Sequence, residues 1–463
     1  MGENIEKVAE VFRSTGQPEI TYVKRDSGAQ ERRLNSYLDE AGQLCLITGP
    51  SKTGKTTLYK RVLAERHQIP LVVQCTRNKA ALDLWREALD SVNFERTSEV
   101  SKTITRKIGI ETGAEGEASW AWLARITGKL GLSREHGTDE EVIKTRILAD
   151  PSPDLLIPIL KHTNYVLIIE DFHYLDDAEK VTLFQQWKRF IDNEITIIVL
   201  GTSHRAVDIA SSNKDLLGRI GQIDVSQWNS DDLKSICTQG FSFLKIPVSQ
   251  YIVDLITRES VGLPIITQQI CLELLQGRNI HSVREARNRK PTFSETDAHA
   301  ALYEVANNRY SQFQSYYHTL VRGPREKTRI YKTYEYVLAC FTVDPILFDL
   351  TRAEIDRRLD KLCKEHGEPK PPAASINSTL GALHKFQEVR DFHLLEWRPT
   401  ESKLYIIEPS FLFYVRWRTK KQEGGQLDFF ELLIKNKVGE ELGVAVKKLS
   451  RTLFVKVPGK DGT

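Results

Sequence analysis

The run "GPSKTGKTT", Gly49–Thr57, follows the apolar "LCLIT" of 44–48 and opens the helical pattern "TTLYKRVLAER". Every fixed position of G-x-x-x-x-G-K-[ST] is filled, with strand, loop and helix in register. Gly49 and Gly54 let the backbone curl until successive N–H groups face phosphate oxygens, with Pro50, Ser51, Lys52 and Thr53 forming the turn between them. Lys55 reaches the outer phosphates as a point charge, and Thr56 offers a hydroxyl to a divalent cation. Thr57 continues into a helix whose free N–H groups and positive dipole end face the anion.

A strand feeding such a loop needs parallel neighbours, and the chain supplies them. From Gln43 to about Val225 short apolar runs alternate with helical patterns. "LCLITG" (44–49), "PLVVQCT" (70–76), "YVLIIED" (165–171), "TIIVLGT" (196–202) and "GQIDVS" (221–226) read as strands. Helices are expected over 56–66, 79–91 and 176–190. The strands are continuously apolar, so both faces are buried, as in a parallel sheet covered by helices. The expected fold class is α/β with a three-layer core. Residues 93–116, rich in Thr, Gly and charge, read as a surface insertion.

"VLIIEDFHYLDD" (166–177) is a strand ending in adjacent carboxylates. Beside a phosphate loop, Glu170 would hold Mg²⁺ together with Thr56, and Asp171 would orient or deprotonate an attacking water. Thr202 and Ser203 end the strand "TIIVLGTSHR", within reach of a terminal phosphate or the water. Polar residues also commonly follow a buried strand, so both readings stand. Arg219, in "LLGRIGQIDV", either reaches a neighbouring subunit's phosphate or forms a structural ion pair; Arg205 is the lesser candidate.

At 463 residues the chain is too long for one core, and 40% apolar with 27% charged residues is the balance of a soluble globular protein. No apolar run is long enough to span a bilayer, and the amino terminus lacks a signal-peptide core. Six cysteines without a CxxC pair suit buried thiols in a reducing cytosol, so a cytoplasmic location is expected. The net charge of +3 is uneven: from Arg278 onward 32 basic residues face 24 acidic ones, and the remainder carries the acidic excess.

The expected organisation is an N-terminal extension (1–24), the α/β core (25–226), a small helical lid (227–277), a basic helical connector (278–325), a winged-helix domain (326–420) and a tail (421–463). In the lid, "SDDLKSICTQG" reads as a helix capped by Ser230 and closed by Gly240. The winged helix is read from three helical patterns followed by the hairpin "FHLLEWRPTESKLYIIEP". Its third helix offers Lys385, the wing Arg398 and Lys403, and the following helix Arg416 and Arg418. These are the candidates for nucleic-acid phosphates; packing against the nucleotide domain is the competing role. Trp120, Trp122, Tyr316 and Tyr317 are expected in core or interface.

With these pieces placed, the chain resembles the AAA+ and STAND-type ATPases, in particular origin-recognition-like and archaeal-type members. "GPSKTGKTT", "VLIIEDFHYL", "IIVLGTSHR", "LLGRI" and "ITRESVGLPIITQQICLELL" carry the resemblance over about residues 25–277, and more loosely in the winged helix. It implies ATP and Mg²⁺ as cofactors, Pro264 near the adenine, and homo-oligomers. It also implies a separately encoded effector in defence, antiviral or otherwise, or in replication. Motors of this class read Asp-Glu where this chain reads Glu170-Asp171, and no arginine near "GLP" is evident as a second phosphate sensor. A misplacement of about 1 Å costs on the order of 100-fold in rate. The expectation is therefore a slowly hydrolysing ATP-dependent conformational or assembly switch. The alternative is a DNA-binding ATPase of origin-recognition or transposition-regulator type, acting through the winged helix on duplex DNA. A non-catalytic interaction module is the third reading.

Overall fold

A computed structural model describes residues 5–93, 123, 140–201, 218–322, 333–343, 345–390 and 392–418. The expected insertion and tail lie outside these residues, apart from Asn93, as do Trp120 and Trp122. The chain divides into two compact units, one of residues 10–240 and one of residues 1–9 with 241–463.

The first unit is organised by five parallel strands: β1 (Leu44–Thr48), β2 (Ile69–Gln74), β3 (Tyr165–Glu170), β4 (Ile197–Gly201) and β5 (Ile220–Asp224). Their order is β2-β3-β4-β1-β5. Strand residues point alternately to the two faces, and both faces are buried. Leu44, Leu46, Leu167, Ile169, Ile197 and Val199 enter one core with Trp85 and Trp187, from the helices Ala81–Asp90 and Asp177–Asp192. Cys45, Ile47, Val166, Ile168, Ile198 and Leu200 enter the other with Leu34, Leu58, Tyr59 and Val62, from the helices Ala29–Asp39 and Lys55–Glu65. Continuous apolar strands thus give a parallel sheet between two helical layers, the three-layer α/β core expected from the sequence.

Two details of the helix after β5 differ from expectation. It runs Ser230–Leu244, and its first turn is capped by Asn229, whose Oδ1 accepts from the Asp232 N–H at 2.7 Å. Gly240 lies inside it rather than closing it. A Cβ at that position would meet the buried Phe12 ring at 2.3 Å, so the glycine admits an aromatic side chain against the helix. Sequence alone cannot tell a glycine that ends a helix from one that lets a ring approach.

In the second unit the helices Gln250–Glu259, Pro264–Gln276 and Glu295–Arg309 pack together, and Ser410–Trp417 packs on the last of them. The stretch read as a connector is therefore partly built into the helical bundle. Within it Ser282 and Glu285 form a capping box for the helix Val283–Arg289. The Val283 N–H donates to the Glu6 carbonyl at 2.8 Å, and the Val8 N–H to the His281 carbonyl at 3.0 Å. Part of the expected N-terminal extension is thus paired with this unit, and the rest belongs to the first.

Toward the carboxyl end the helices Thr333–Ala339, Arg352–His366 and Ala373–Glu388 precede the hairpin of β7 (Leu395–Arg398) and β8 (Lys403–Ile406). A third strand, β6 (Asp349–Thr351), pairs antiparallel with β8. Three residues are too few for a period-two signal, which is why the sequence did not show it. Arg358 is buried here, donating to the carbonyls of Cys340 (3.0 Å) and Pro345 (2.8 Å) and to Glu354 Oε1 (2.6 Å).

Candidate functional site

The loop between β1 and the helix Lys55–Glu65 has a backbone that its glycines permit. Gly49 has φ 151° and Gly54 φ 102°. A Cβ on Gly49 would press on Thr53 Oγ1 at 3.0 Å and Val225 Cγ2 at 3.1 Å. Lys52 occupies the left-handed region at φ 67°. Thr53, fully buried, donates from its hydroxyl to the Pro50 carbonyl at 2.9 Å. The Gly49 N–H donates to Gly201 at the end of β4 (3.2 Å), pinning the loop to the sheet edge. Lys55 Nζ lies against the loop, donating to the carbonyls of Gly49 and Pro50 at 2.8 Å each. Ser51 and Thr57 are half-buried beside it.

The carboxylate strand meets this loop through Glu170. Thr56 Oγ1 donates to Glu170 Oε1 at 3.0 Å, although the two lie on elements far apart in sequence. The same oxygen accepts from the Tyr59 hydroxyl, also at 3.0 Å. Burial and the neighbouring Glu170 carboxylate push the Tyr59 phenol up, so it remains a donor. Asp171, one residue on, is in the left-handed region (φ 57°) and its Oδ2 accepts from Gln74 Nε2 at 3.1 Å. Gln74 is the last residue of β2, and in the sheet it stands opposite Glu170. The paired hard oxygens of Thr56 and Glu170 fit Mg²⁺, which is held through few protein ligands and substrate phosphates. Among the described residues no cluster of three or more His, Cys, Asp or Glu is placed to cage a metal by itself.

On the side of β5 a second set of contacts holds the loop. Trp228 Nε1 donates to the Thr53 carbonyl at 2.9 Å. The guanidinium of Arg25, buried, lies 4.5 Å from the centroid of the Trp228 ring and donates to the carbonyls of Val225 (3.3 Å) and Gln227 (3.0 Å). Desolvation lowers the Arg25 pKa, with Asp232 and Glu31 acting against it.

Not every predicted residue joins this site. Thr202 and Ser203, with His204 and Arg205, lie outside the described residues. Arg219 precedes β5, at the opposite end of the sheet from the loop, because Leu44 pairs with Ile220 and Thr48 with Asp224. There it is half-exposed and its Nη1 lies 3.4 Å from Asp192 Oδ1. Pro264 is the first residue of its helix in the second unit, as expected from a proline at N1.

The basic candidates of the second unit are largely committed to partners within it. Arg398 pairs with Glu401 (2.7 Å) and Glu396 (3.5 Å), and Lys403 with Asp349 (3.1 Å). Arg416 Nε lies 2.7 Å from buried Glu259, whose other contacts include Trp417 Nε1 at 3.1 Å. Arg418 lies 4.1 Å from the Tyr317 ring centroid and donates to its hydroxyl at 2.9 Å. Lys385 is exposed. Tyr317 is buried, and the partly buried Tyr316 stacks on Phe392 with centroids 5.3 Å apart.

Sequence reasoning missed Tyr59, Gln74, Arg25 and Trp228. Tyr59 had a signal, its helical spacing from Lys55 and Thr56. The others act across elements that only folding brings together.

No protein-family model matches the chain, and no curated protein matches it. Solved structures do. The Walker-type ATPase of Pyrococcus abyssi is 14% identical, covering 84% of this chain and 95% of its own, with a TM-score of 0.45. The ORC2 protein of Aeropyrum pernix in its ADP form is 13% identical over 94% of this chain and 99% of its own, with a TM-score of 0.40. Cdc6p of Pyrobaculum aerophilum is 13% identical over 94% and 100%, with a TM-score of 0.36. In the chain itself, the loop at the end of β1, the carboxylates at the end of β3 and one strand between them give residues 10–240 the α/β fold of a P-loop NTPase core.

Proposed function

We propose that the protein binds ATP with Mg²⁺ at this loop and hydrolyses it slowly, as a nucleotide-dependent conformational or assembly switch. The observation that carries the reading is the 3.0 Å bond from Thr56 to Glu170, which joins the phosphate loop to the carboxylate strand. The loop's N–H groups and Lys55 would take the phosphates, and Thr56 and Glu170 would hold the metal. When bound, Mg²⁺ supplies neutralisation of charge on the terminal phosphates. Asp171 would orient the attacking water. In this structure its Oδ2 is engaged by Gln74, a contact that has to loosen or turn before that oxygen serves as a base. Together with the shorter side chain at the water position, that favours slow turnover over a motor cycle.

Pro264 is proposed near the adenine, and Thr202 and Ser203 near the terminal phosphate. Oligomers, a separate effector and a cytosolic setting belong to the same reading. No helix among the described residues is long and apolar enough to cross a membrane. The reading of a DNA-binding ATPase stands second, because four of its five basic candidates hold intramolecular partners. Duplex DNA that neither binds at low salt nor stimulates hydrolysis would remove it.

The decisive test is nucleotide binding by the full chain. Wild type should bind an ATP analogue with Mg²⁺, and Lys55→Ala should lose at least tenfold in affinity. Equal binding by the two proteins, or none by wild type, would overturn the proposal.

A further inference from the structure

The helix that follows the phosphate loop carries more than its two expected functional residues. Lys55, Thr56 and Tyr59 share a face, since residues three and four apart on a helix are neighbours. Tyr59 is fully buried among the apolar residues on that side of the sheet, yet its hydroxyl reaches Glu170 Oε1. A buried tyrosine hydroxyl needs a partner, and this one has the oxygen that Thr56 also addresses.

We infer that Tyr59 is a positioning residue for the metal side of the site, fixing the Glu170 carboxylate through its hydroxyl so that Thr56 and Glu170 present their oxygens to Mg²⁺ together. This inference rests on the ATPase reading above and extends it to a residue outside the loop motif. Two hydroxyls converging on one oxygen, from a single rigid helix, restrain the rotation of a side chain at a strand end. Phenol and Thr56 hydroxyl both donate, so Glu170 Oε1 is held as an acceptor. Outer-shell hydrogen bonds to a metal-binding carboxylate are worth about 10–100-fold in metal affinity. A phenylalanine would fill the same space in the core and lack only the donor.

The test is Tyr59→Phe in the full chain, read by the Mg²⁺ concentration that half-saturates the fluorescence change of a bound ATP analogue. That midpoint should rise about tenfold, while analogue affinity in EDTA and the melting temperature without nucleotide stay at wild-type values. An unchanged midpoint would overturn the inference while leaving ATP binding intact. A wild type with no Mg²⁺-dependent binding would instead overturn the ATPase reading, and the inference with it. Should Tyr59→Phe melt early, both chains are titrated with Mg²⁺ well below the lower melting temperature, where a tenfold rise of the midpoint supports the role and a wild-type midpoint refutes it.

Discussion

Asp171 occupies a backbone conformation, φ 57° and ψ 31°, that aspartate tolerates better than β-branched residues. The turn there lifts the chain out of β3 immediately after Glu170, so adjacent carboxylates leave the strand in different directions. One reaches Thr56 and Tyr59, the other Gln74. Their roles should therefore separate on mutation. Asp171→Ala is expected to reduce hydrolysis by about 10²–10⁴-fold, the usual contribution of a positioned base, and to keep ATP bound within about twofold. Glu170→Ala should lose the Mg²⁺-dependent part of binding. Steady-state turnover beside titration of a nucleotide analogue checks both, and turnover in Asp171→Ala equal to wild type would refute the assignment. At this scale the loop was legible because its chemistry is local: Gly49, Gly54, Lys55 and Thr56 lie within eight residues of one another. Gln74 was not, because its meaning comes from Asp171, a partner 97 residues away just past the end of β3.

Trp228 lies in the short segment between β5 and the helix Ser230–Leu244, and its indole N–H is tied to the phosphate loop. Arg25, from the segment before the helix Ala29–Asp39, covers the ring and holds the same segment by two carbonyls. Three elements distant in sequence are thereby clamped at one edge of the loop. A neutral hydrogen bond contributes about 0.5–1.5 kcal/mol net, and losing it leaves the Thr53 carbonyl without this donor. Trp228→Phe keeps most of the ring and removes the donor. Its ATP affinity is expected to fall about three- to tenfold, with little change in the far-ultraviolet dichroism; an affinity equal to wild type would show that the clamp does not shape the loop. The sequence predicted strand and helix identities well, because burial on both faces leaves an unbroken apolar run. It missed the cap at Asn229 and the role of Gly240, since Asn-Ser is ambiguous as a cap and a ring such as Phe12 is invisible from residue 240. The short β6 was hidden for a different reason, its three residues being defined by pairing with β8 rather than by pattern.

For the whole molecule, the open question is whether one copy completes another's site, and Arg219 addresses it. Its carbonyl accepts from the Leu44 N–H at 2.8 Å, which fixes it beside the start of β1. From there to Gly49 the strand rises roughly 3.3 Å per residue, or about 17 Å in all. An arginine side chain does not bridge that distance, so Arg219 cannot serve the phosphate loop of its own chain along this edge. Its pairing with Asp192 is half-exposed on both sides, a geometry worth little to stability. The residue is therefore available to act on another copy, and the two readings of it make opposite predictions. If it acts in trans, Arg219→Ala should melt like wild type and lose most hydrolysis at protein concentrations where subunits meet. Mixing it with Lys55→Ala, which brings an intact Arg219 but a disabled loop, should then restore turnover, because mixed assemblies pair a working loop with a working arginine. If it is structural, hydrolysis should fall at every concentration, the melting temperature should drop, and mixing should restore nothing. Hydrolysis measured across a dilution series of each variant and of the mixture distinguishes the two, and restored activity in the mixture is the outcome expected for a switch that works by assembly.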